Sequence, residues 1–132
     1  MADTAHGKLL NDVLAAIYEK YGRDACVQKI NVINAKAIGR GGATRHVRSA
    51  QDGTADIVGC ICGAPVAIEI KAGKDRQRES QKDWQQAWEK AGGIYIIGKS
   101  AEGVLAEIYH IRAVSKAREI ASRDLSDPGV ND

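Results

Sequence analysis

Residues 52–76 have the sequence DGTADIVGCICGAPVAIEIKAGKDR, and this stretch decides the fold. It holds two runs that are rich in β-branched residues, Ala55–Cys62 and Val66–Lys71, separated by a short segment with glycine and proline. A tight turn that begins with positive φ at Gly63 and continues at Ala64 would join the two runs. The stretch therefore predicts a β-hairpin.

The register of this hairpin would place polar side chains together on one face. Closure at the predicted turn sets Asp56 opposite Lys71 and Val58 opposite Glu69. Because side chains alternate along a strand, these four residues share a face. Glutamate and lysine within an otherwise apolar strand are poor choices for a core-facing surface. The hairpin therefore predicts a site that contains two carboxylates and one ammonium group.

These residue types suit metal-assisted chemistry. Mg²⁺ prefers oxygen ligands, which Asp56, Glu69 and the backbone carbonyl of Ile70 would supply. Lys71 would position or deprotonate a water molecule and offset the charge that builds on phosphorus. The same spacing also occurs in exposed salt bridges, so these residues alone leave both interpretations open.

Apolar periodicity places further helices and strands around the hairpin. An amphipathic helix is predicted from Thr4 to Tyr21, with Gly22 as its stop. The remaining predicted elements are a strand at Val27–Ile33, a long loop or irregular hairpin at 34–50, a helix at Gln77–Ala91, a strand at Ile94–Ile97 and a helix from Ala101 to about Ala121. This order predicts an α/β fold, in which a mixed β-sheet that begins with a hairpin is flanked by helices.

Length and composition restrict the class of protein. The 132 residues fit one domain, predicted over residues 1–121, with a flexible tail over 122–132. The three cysteines are an odd number, which favours free thiols in a reducing, cytoplasmic compartment. Cys60 and Cys62 lack the second cysteine pair of a typical zinc site and are predicted to be buried. No apolar run approaches transmembrane length, so no membrane partner is expected.

Positive charge is concentrated in one segment, although the net charge is only +2. No acidic residue occurs between Ala25 and Gln51. The cationic and titratable residues predicted to bind nucleic acid are Lys36, Arg40, Arg45, His46 and Arg48, with Lys29 preceding them. A block of one sign is typical of a phosphate-binding surface, and a solvated loop is the alternative interpretation.

Three motifs follow one another along the chain: DGTADI at 52–57, AIEIKAGKDR at 67–76 and QKDW at 81–84. Together they resemble the VRR-NUC family of the PD-(D/E)XK nuclease superfamily, in its stand-alone bacterial and phage form. The resemblance implies a restriction-endonuclease-like core and a Mg²⁺-dependent endonuclease, with Mn²⁺ as a substitute metal. It further implies that Asp56 and Glu69 ligate the metal, that Lys71 is the catalytic lysine, and that Gln81 lies at the edge of the active site.

The chain departs from the family pattern at two places. Ala55 stands where the family prefers proline. Many relatives also carry a glutamate early in the first helix, whereas this chain has Gly7, Lys8 and Asn11 in that region. Glu19, near the end of the helix, is the only glutamate available there. A missing acid predicts weaker metal binding.

The favoured hypothesis is a structure-selective endonuclease that cuts branched or junction DNA, as the resemblance implies. A homodimer would supply two active sites for the two strands of a junction. Trp84 and Trp88 are predicted to lie in the core or in the dimer interface, and the isolated His6 and His110 are predicted to be surface residues. The alternatives are a nucleic-acid-binding module with weak catalysis, and a sequence-specific nuclease that reads its target through the 34–50 segment.

Overall fold

The computed structural model describes residues 4–30, 34–38, 44–48 and 52–126, with only the backbone described in the two short inner segments and at 124–126. The helices are α1 (Ala5–Tyr21), α2 (Glu79–Lys90) and α3 (Ala101–Ser126), and the strands are β1 (Ala25–Lys29), β2 (Asn34–Ile38), β3 (Thr44–Arg48), β4 (Ile57–Ile61), β5 (Ala64–Ile70) and β6 (Ile94–Gly98). Strands β1, β4, β5 and β6 form one sheet in that order, while β2 and β3 form a separate two-stranded sheet. Strand β6 is parallel to β5 and the other pairings are antiparallel, which confirms the predicted mixed sheet and α/β class.

The hairpin of β4 and β5 is confirmed, but its predicted register was wrong by two residues. Ile57 pairs with Ile68 and Val58 with Ala67, so the turn consists of Cys62 and Gly63. Both turn residues have positive φ, +52° and +84° respectively, as a two-residue hairpin turn of type I′ requires. A shift of two residues leaves every side chain on its own face. Burial therefore cannot distinguish the two registers, and the turn geometry decides between them.

The first strand begins earlier than predicted. Strand β1 starts at Ala25, directly after a short 3₁₀ turn that follows α1, and it pairs antiparallel with β4. Residues 31–33, which the sequence assigned to this strand, lie outside the described residues. The segment predicted as a long loop or irregular hairpin contains a hairpin of β2 and β3, in which Lys36 pairs with His46.

The core lies between one face of the four-stranded sheet and the helices α1 and α3. Its buried side chains are Leu10, Val13, Ile17, Ala25, Val27, Ile57, Ile61, Val66, Ile68, Ile70, Ile96, Val104 and Ile108. These residues are aliphatic, as expected of a chain without phenylalanine. In β5 the even-numbered residues face this core, so Glu69 points to the opposite face of the sheet.

Local chemistry determines both ends of α1. The Thr4 hydroxyl accepts a hydrogen bond from the backbone N–H of Gly7 and caps α1, while Gly22 with φ +53° ends it, as predicted. Helix α3 continues to Ser126, five residues beyond the predicted end at Ala121. Within the described residues, no helix has both the length and the apolar composition that a membrane span requires.

Candidate active site

A pocket of about 310 Å³ lies at the end of the sheet where β5 ends and β4 begins. Asp56, Glu69, Ile70, Lys71 and Gln81 line it, together with His6, Asp75, Arg76 and Arg78. The structure thus brings together the five predicted catalytic and metal-binding residues. A larger groove, of about 550 Å³, lies along α3 next to Ala64 and Ile94, and among the described residues that line it Glu119 is the one acidic side chain. The carboxylate chemistry is therefore in the smaller pocket.

Asp56 is held in place by its neighbours on both sides. Its Oδ2 accepts a hydrogen bond from the backbone N–H of Ile70 at 2.8 Å, and its backbone carbonyl accepts one from the N–H of Ile30 at 2.7 Å. With the observed register, Asp56 would lie opposite Glu69, one step beyond the last β4–β5 pair, and not opposite Lys71 as predicted. Its side chain is 23% exposed, so it can be reached from solvent.

The approach to Asp56 depends on a glycine in the first motif. Gly53 has φ +83°, and a Cβ at this position would overlap the backbone carbonyl of Ser80 in α2. Only glycine therefore lets the segment before Asp56 pass so close to the start of α2. This contact places Asp56 and Gln81 at the same end of the sheet.

Glu69 is almost fully buried, with a side chain that is 3% exposed. Its Oε1 accepts a hydrogen bond from Gln81 Nε2 at 2.9 Å and lies 3.7 Å from Lys71 Nζ. Its Oε2 is buried without a hydrogen-bond partner among the described residues. Burial, the negative charge of Asp56 and a hydrogen bond with the Asp56 side chain raise the pKa of Glu69 to about 8, although Lys71 and Arg78 act in the opposite direction.

The side chain of Gln81 connects Glu69 to Lys71 through hydrogen bonds. Its Oε1 accepts hydrogen bonds from Lys71 Nζ at 2.8 Å and from the backbone N–H of Arg78 at 2.8 Å. Because both of these partners are donors, the amide nitrogen of Gln81 is free to donate to Glu69. Gln81 is only 5% exposed, so it is a buried part of the network and not a helix-surface residue.

The residues present fit a divalent cation. Asp56 lies close enough to Glu69 for its charge to raise the pKa of Glu69, and Glu69 Oε2 has no hydrogen-bond partner among the described residues. A cation between two such carboxylates would relieve their repulsion and occupy the unpartnered oxygen. Mg²⁺ commonly binds through one or two carboxylates plus water. Among the residues whose side chains are described, no group of three or more His, Cys, Asp or Glu is arranged to hold a metal ion.

His6 is one of the pocket residues that the sequence analysis did not assign to the site. Its Nε2 lies 3.3 Å from Asp56 Oδ2, and its side chain is 40% exposed. The prediction of a plain surface residue was therefore incomplete. A single histidine has no spacing signal, and only the packing of α1 across the sheet brings its first turn to Asp56. Glu19 lies thirteen residues further along α1, which is about 20 Å at 1.5 Å per residue, and it does not line the pocket.

Cationic residues surround the pocket in a way that the sequence analysis did not assign. Arg76 and Arg78 line it from the segment between β5 and α2. In the sequence, the cations Lys74, Arg76 and Arg78 alternate just after the strand that contains Glu69. This pattern could have predicted the two arginines. In the β2–β3 hairpin, Arg45 pairs with Ala37 and Arg48 with Asn34. Arg40, the remaining predicted nucleic-acid-binding residue, lies outside the described residues.

Two other predictions concern residues away from the pocket. Cys26, Cys60 and Cys62 are free and exposed, so the predicted burial of Cys60 and Cys62 was wrong. Both lie at or beside the hairpin turn, on positions that α1 and α3 do not cover. Trp84 and Trp88 are half-buried and stack at a centroid distance of 5.1 Å, and Trp88 Nε1 donates to the Ile94 carbonyl.

No protein-family model matches the chain, and no curated protein matches it.

Proposed function

We propose that this chain is a metal-dependent nuclease of the VRR-NUC type within the PD-(D/E)XK superfamily, and that it hydrolyses phosphodiester bonds in DNA. One observation carries the proposal. The buried network of Glu69, Gln81 and Lys71 stands beside Asp56 in a single solvent-accessible pocket. Burial of an acid and a base on the polar face of a small domain is costly, and a structural salt bridge would not need the second carboxylate.

In the proposed mechanism, Asp56, Glu69 and the carbonyl of Ile70 hold Mg²⁺, or Mn²⁺ in its place. When bound, the metal polarises the scissile phosphate and lowers the pKa of water. The hydrogen bond from the Ile70 N–H fixes the orientation of the Asp56 carboxylate. Gln81 holds Lys71 Nζ and Glu69 Oε1 3.7 Å apart, so the lysine stays at the edge of the pocket. There its ammonium group orients the attacking water and offsets charge on the phosphate.

The proposed substrate is branched or junction DNA, held through its phosphates. Arg76 and Arg78 line the pocket and would contact a phosphate that enters it. The residues predicted to bind phosphates are Lys36, Arg45, His46 and Arg48 of strands β2 and β3, together with Arg40, which lies outside the described residues. We further propose a homodimer, which would present two active sites, and light scattering tests it through the mass in solution. Three free thiols are compatible with a reducing compartment, and the cytoplasm is the proposed location.

One observation favours a second candidate, a nucleic-acid-binding module with weak catalysis. A pKa of about 8 leaves Glu69 largely protonated at neutral pH when no metal is present. A metal must then displace this proton, which weakens its apparent affinity. If metal never loads, DNA binds at the cationic residues and is not cut.

The test is a cleavage assay on labelled four-way junction, flap, single-stranded and duplex DNA, with Mg²⁺, Mn²⁺ or EDTA. The variants are Lys71→Ala, Asp56→Asn and, as a matched control, Lys90→Ala, which removes an exposed lysine at the far end of α2. We expect metal-dependent cutting that falls by about 100-fold or more in the first two variants and is unchanged in the control. DNA binding without cutting at any metal concentration would favour the binding module instead.

A further inference from the structure

The connection between β5 and α2, residues 71–78, forms one wall of the pocket. A hydrogen bond of 3.2 Å from the Asp75 N–H to the Ala72 carbonyl turns the chain early in this connection. Two arginines that follow the turn, Arg76 and Arg78, line the pocket. Both are exposed, so a substrate can reach them from solvent. One short segment therefore brings two guanidinium groups to the pocket.

The backbone of Arg78 is fixed through both of its polar groups. Its N–H donates to Gln81 Oε1 at 2.8 Å, and its carbonyl accepts hydrogen bonds from the N–H groups of Gln81 and Lys82, each at 3.0 Å. Lys71 Nζ donates to the same side-chain oxygen of Gln81 at 2.8 Å. The starting point of the Arg78 side chain is thus fixed relative to the ammonium group of Lys71. Among the described residues, no hydrogen bond fixes Arg76 in the same way.

The charge of Arg78 reaches the centre of the site. Together with Lys71, it lowers the pKa of Glu69 against the effect of burial. No carboxylate among the described residues forms an ion pair with Arg78. Its guanidinium group can therefore pair with an anion that enters the pocket.

We propose that Arg78 is a catalytic residue whose guanidinium group binds the scissile phosphate, and that Arg76 binds a neighbouring phosphate of the same strand. The inference rests on the proposed function. A guanidinium group can donate two parallel N–H groups to phosphate oxygens. Donors that are fixed where charge develops stabilise the transition state more than the bound substrate. Arg76, without that anchoring, would stabilise both states equally and so contribute to binding alone.

Cleavage kinetics on labelled junction DNA with Mg²⁺ or Mn²⁺ separate the two roles. We expect Arg78→Ala to lower kcat by about 100-fold, with KM within about 3-fold of the wild type. Arg78→Lys keeps the charge but loses the parallel donors, so its kcat should remain about 10-fold below the wild type. Arg76→Ala should instead raise KM by about 5-fold and leave kcat within about 2-fold. Arg118→Ala, which removes an exposed arginine of α3, is the matched control and should change neither constant.

Chemical modification in EDTA tests the phosphate contact without cleavage. Phenylglyoxal, which modifies exposed arginines, is applied to the wild-type protein with and without junction DNA, and mass spectrometry locates the modified residues. We expect the DNA to protect Arg76 and Arg78 and to leave Arg118 reactive. Circular dichroism confirms that each variant used in the kinetics is folded.

The outcomes distinguish this inference from the proposed function. Metal-dependent cutting with an unchanged kcat in Arg78→Ala, or with Arg78 still reactive under bound DNA, would overturn the role of Arg78 and leave the nuclease standing. Protection of Arg78 by DNA that is never cut would overturn the nuclease and the catalytic role, while the phosphate contact stands. Absence of both cutting and protection would overturn both proposals. Protection together with a loss confined to kcat supports Arg78 as a catalytic residue.

Discussion

Glu69 is the residue in which burial and charge oppose each other most directly. It lies on the face of β5 that the aliphatic core does not use, yet its side chain is 3% exposed. Gln81 and Lys71 cover one carboxylate oxygen, and the other has no hydrogen-bond partner among the described residues. Protonation of the carboxyl, which the raised pKa favours, removes the buried charge, and a bound cation would take the place of that proton.

The raised pKa of Glu69 predicts how stability depends on pH in EDTA. The pKa is about 8 in the folded protein against 4.5 for the free group, so the folded state binds more protons in this interval. Stability should therefore be full at low pH and fall as the pH rises from about 5 to about 8. Relative to Glu69→Gln, which cannot ionise, the melting temperature of the wild type should decrease by about 5 °C or more.

Scanning calorimetry at several pH values measures this dependence. Glu102→Gln, at an exposed glutamate in the first turn of α3, is the control and should follow the wild type. Parallel curves for the wild type and Glu69→Gln would show that the Glu69 carboxyl is not protonated in the fold.

The hairpin of β4 and β5 shows what an element-level pattern can specify. Alternation determined which side chains share a face, so Glu69 and Lys71 were correctly placed together away from the core. The register itself depended on the conformation of Cys62, a residue with no strong preference for positive φ. The difference matters for the site, because it moves Asp56 from a position opposite Lys71 to one opposite Glu69.

The pairing of β1 with β4 can be tested chemically. Cys26 lies directly opposite Cys60, and both are exposed. Opposed residues of antiparallel strands have Cα atoms about 4.5–5.5 Å apart, within the range of about 4.4–6.8 Å that a disulfide needs. Mild oxidation of the Cys62→Ser variant with glutathione disulfide should therefore join Cys26 to Cys60, with the two thiols oxidised and glutathione released.

Peptide mapping by mass spectrometry identifies the bond. Cys60→Ser, which leaves Cys26 with Cys62, is the matched control and should form little internal disulfide. Efficient bonding of Cys26 to Cys62 with none to Cys60 would contradict the β1–β4 register.

At the scale of the whole molecule, the ends of four elements meet at one end of the sheet. Helix α1 and helix α2 begin there, β4 begins there, and β5 ends there. The sheet face that α1 and α3 cover is instead occupied by the aliphatic core. This division explains how a chain of 132 residues combines an aliphatic core with a polar pocket.

The proposed DNA binding predicts a dependence on salt. For a protein that neutralises phosphates, log Kobs falls linearly as the logarithm of the salt concentration rises. The slope is about −0.9 for each phosphate contact. Replacing Arg45 and Arg48 together by alanine should make this slope shallower by about 2. Lys20→Ala with Lys90→Ala removes the same charge from exposed positions in the last turns of α1 and α2 and should leave the slope unchanged.

Fluorescence anisotropy on junction and duplex DNA at several salt concentrations gives both slopes. Equal losses for the two double variants would mean that net charge matters and the β2–β3 hairpin does not.

The sequence by itself determined the α/β class, the order of most helices and strands, and the membership of Asp56, Glu69 and Lys71 in one cluster. These features follow from local periodicity and alternation, which act over a few residues. Tertiary structure decided the burial of Gln81, the contact of His6 with Asp56 and the position of Asp56 beside Glu69 in one pocket. Each of these joins residues that are distant in sequence, and their positions depend on how the helices pack and on the backbone of one turn. Neither the packing of the helices nor the conformation of that turn can be predicted from the spacing of residues along the chain.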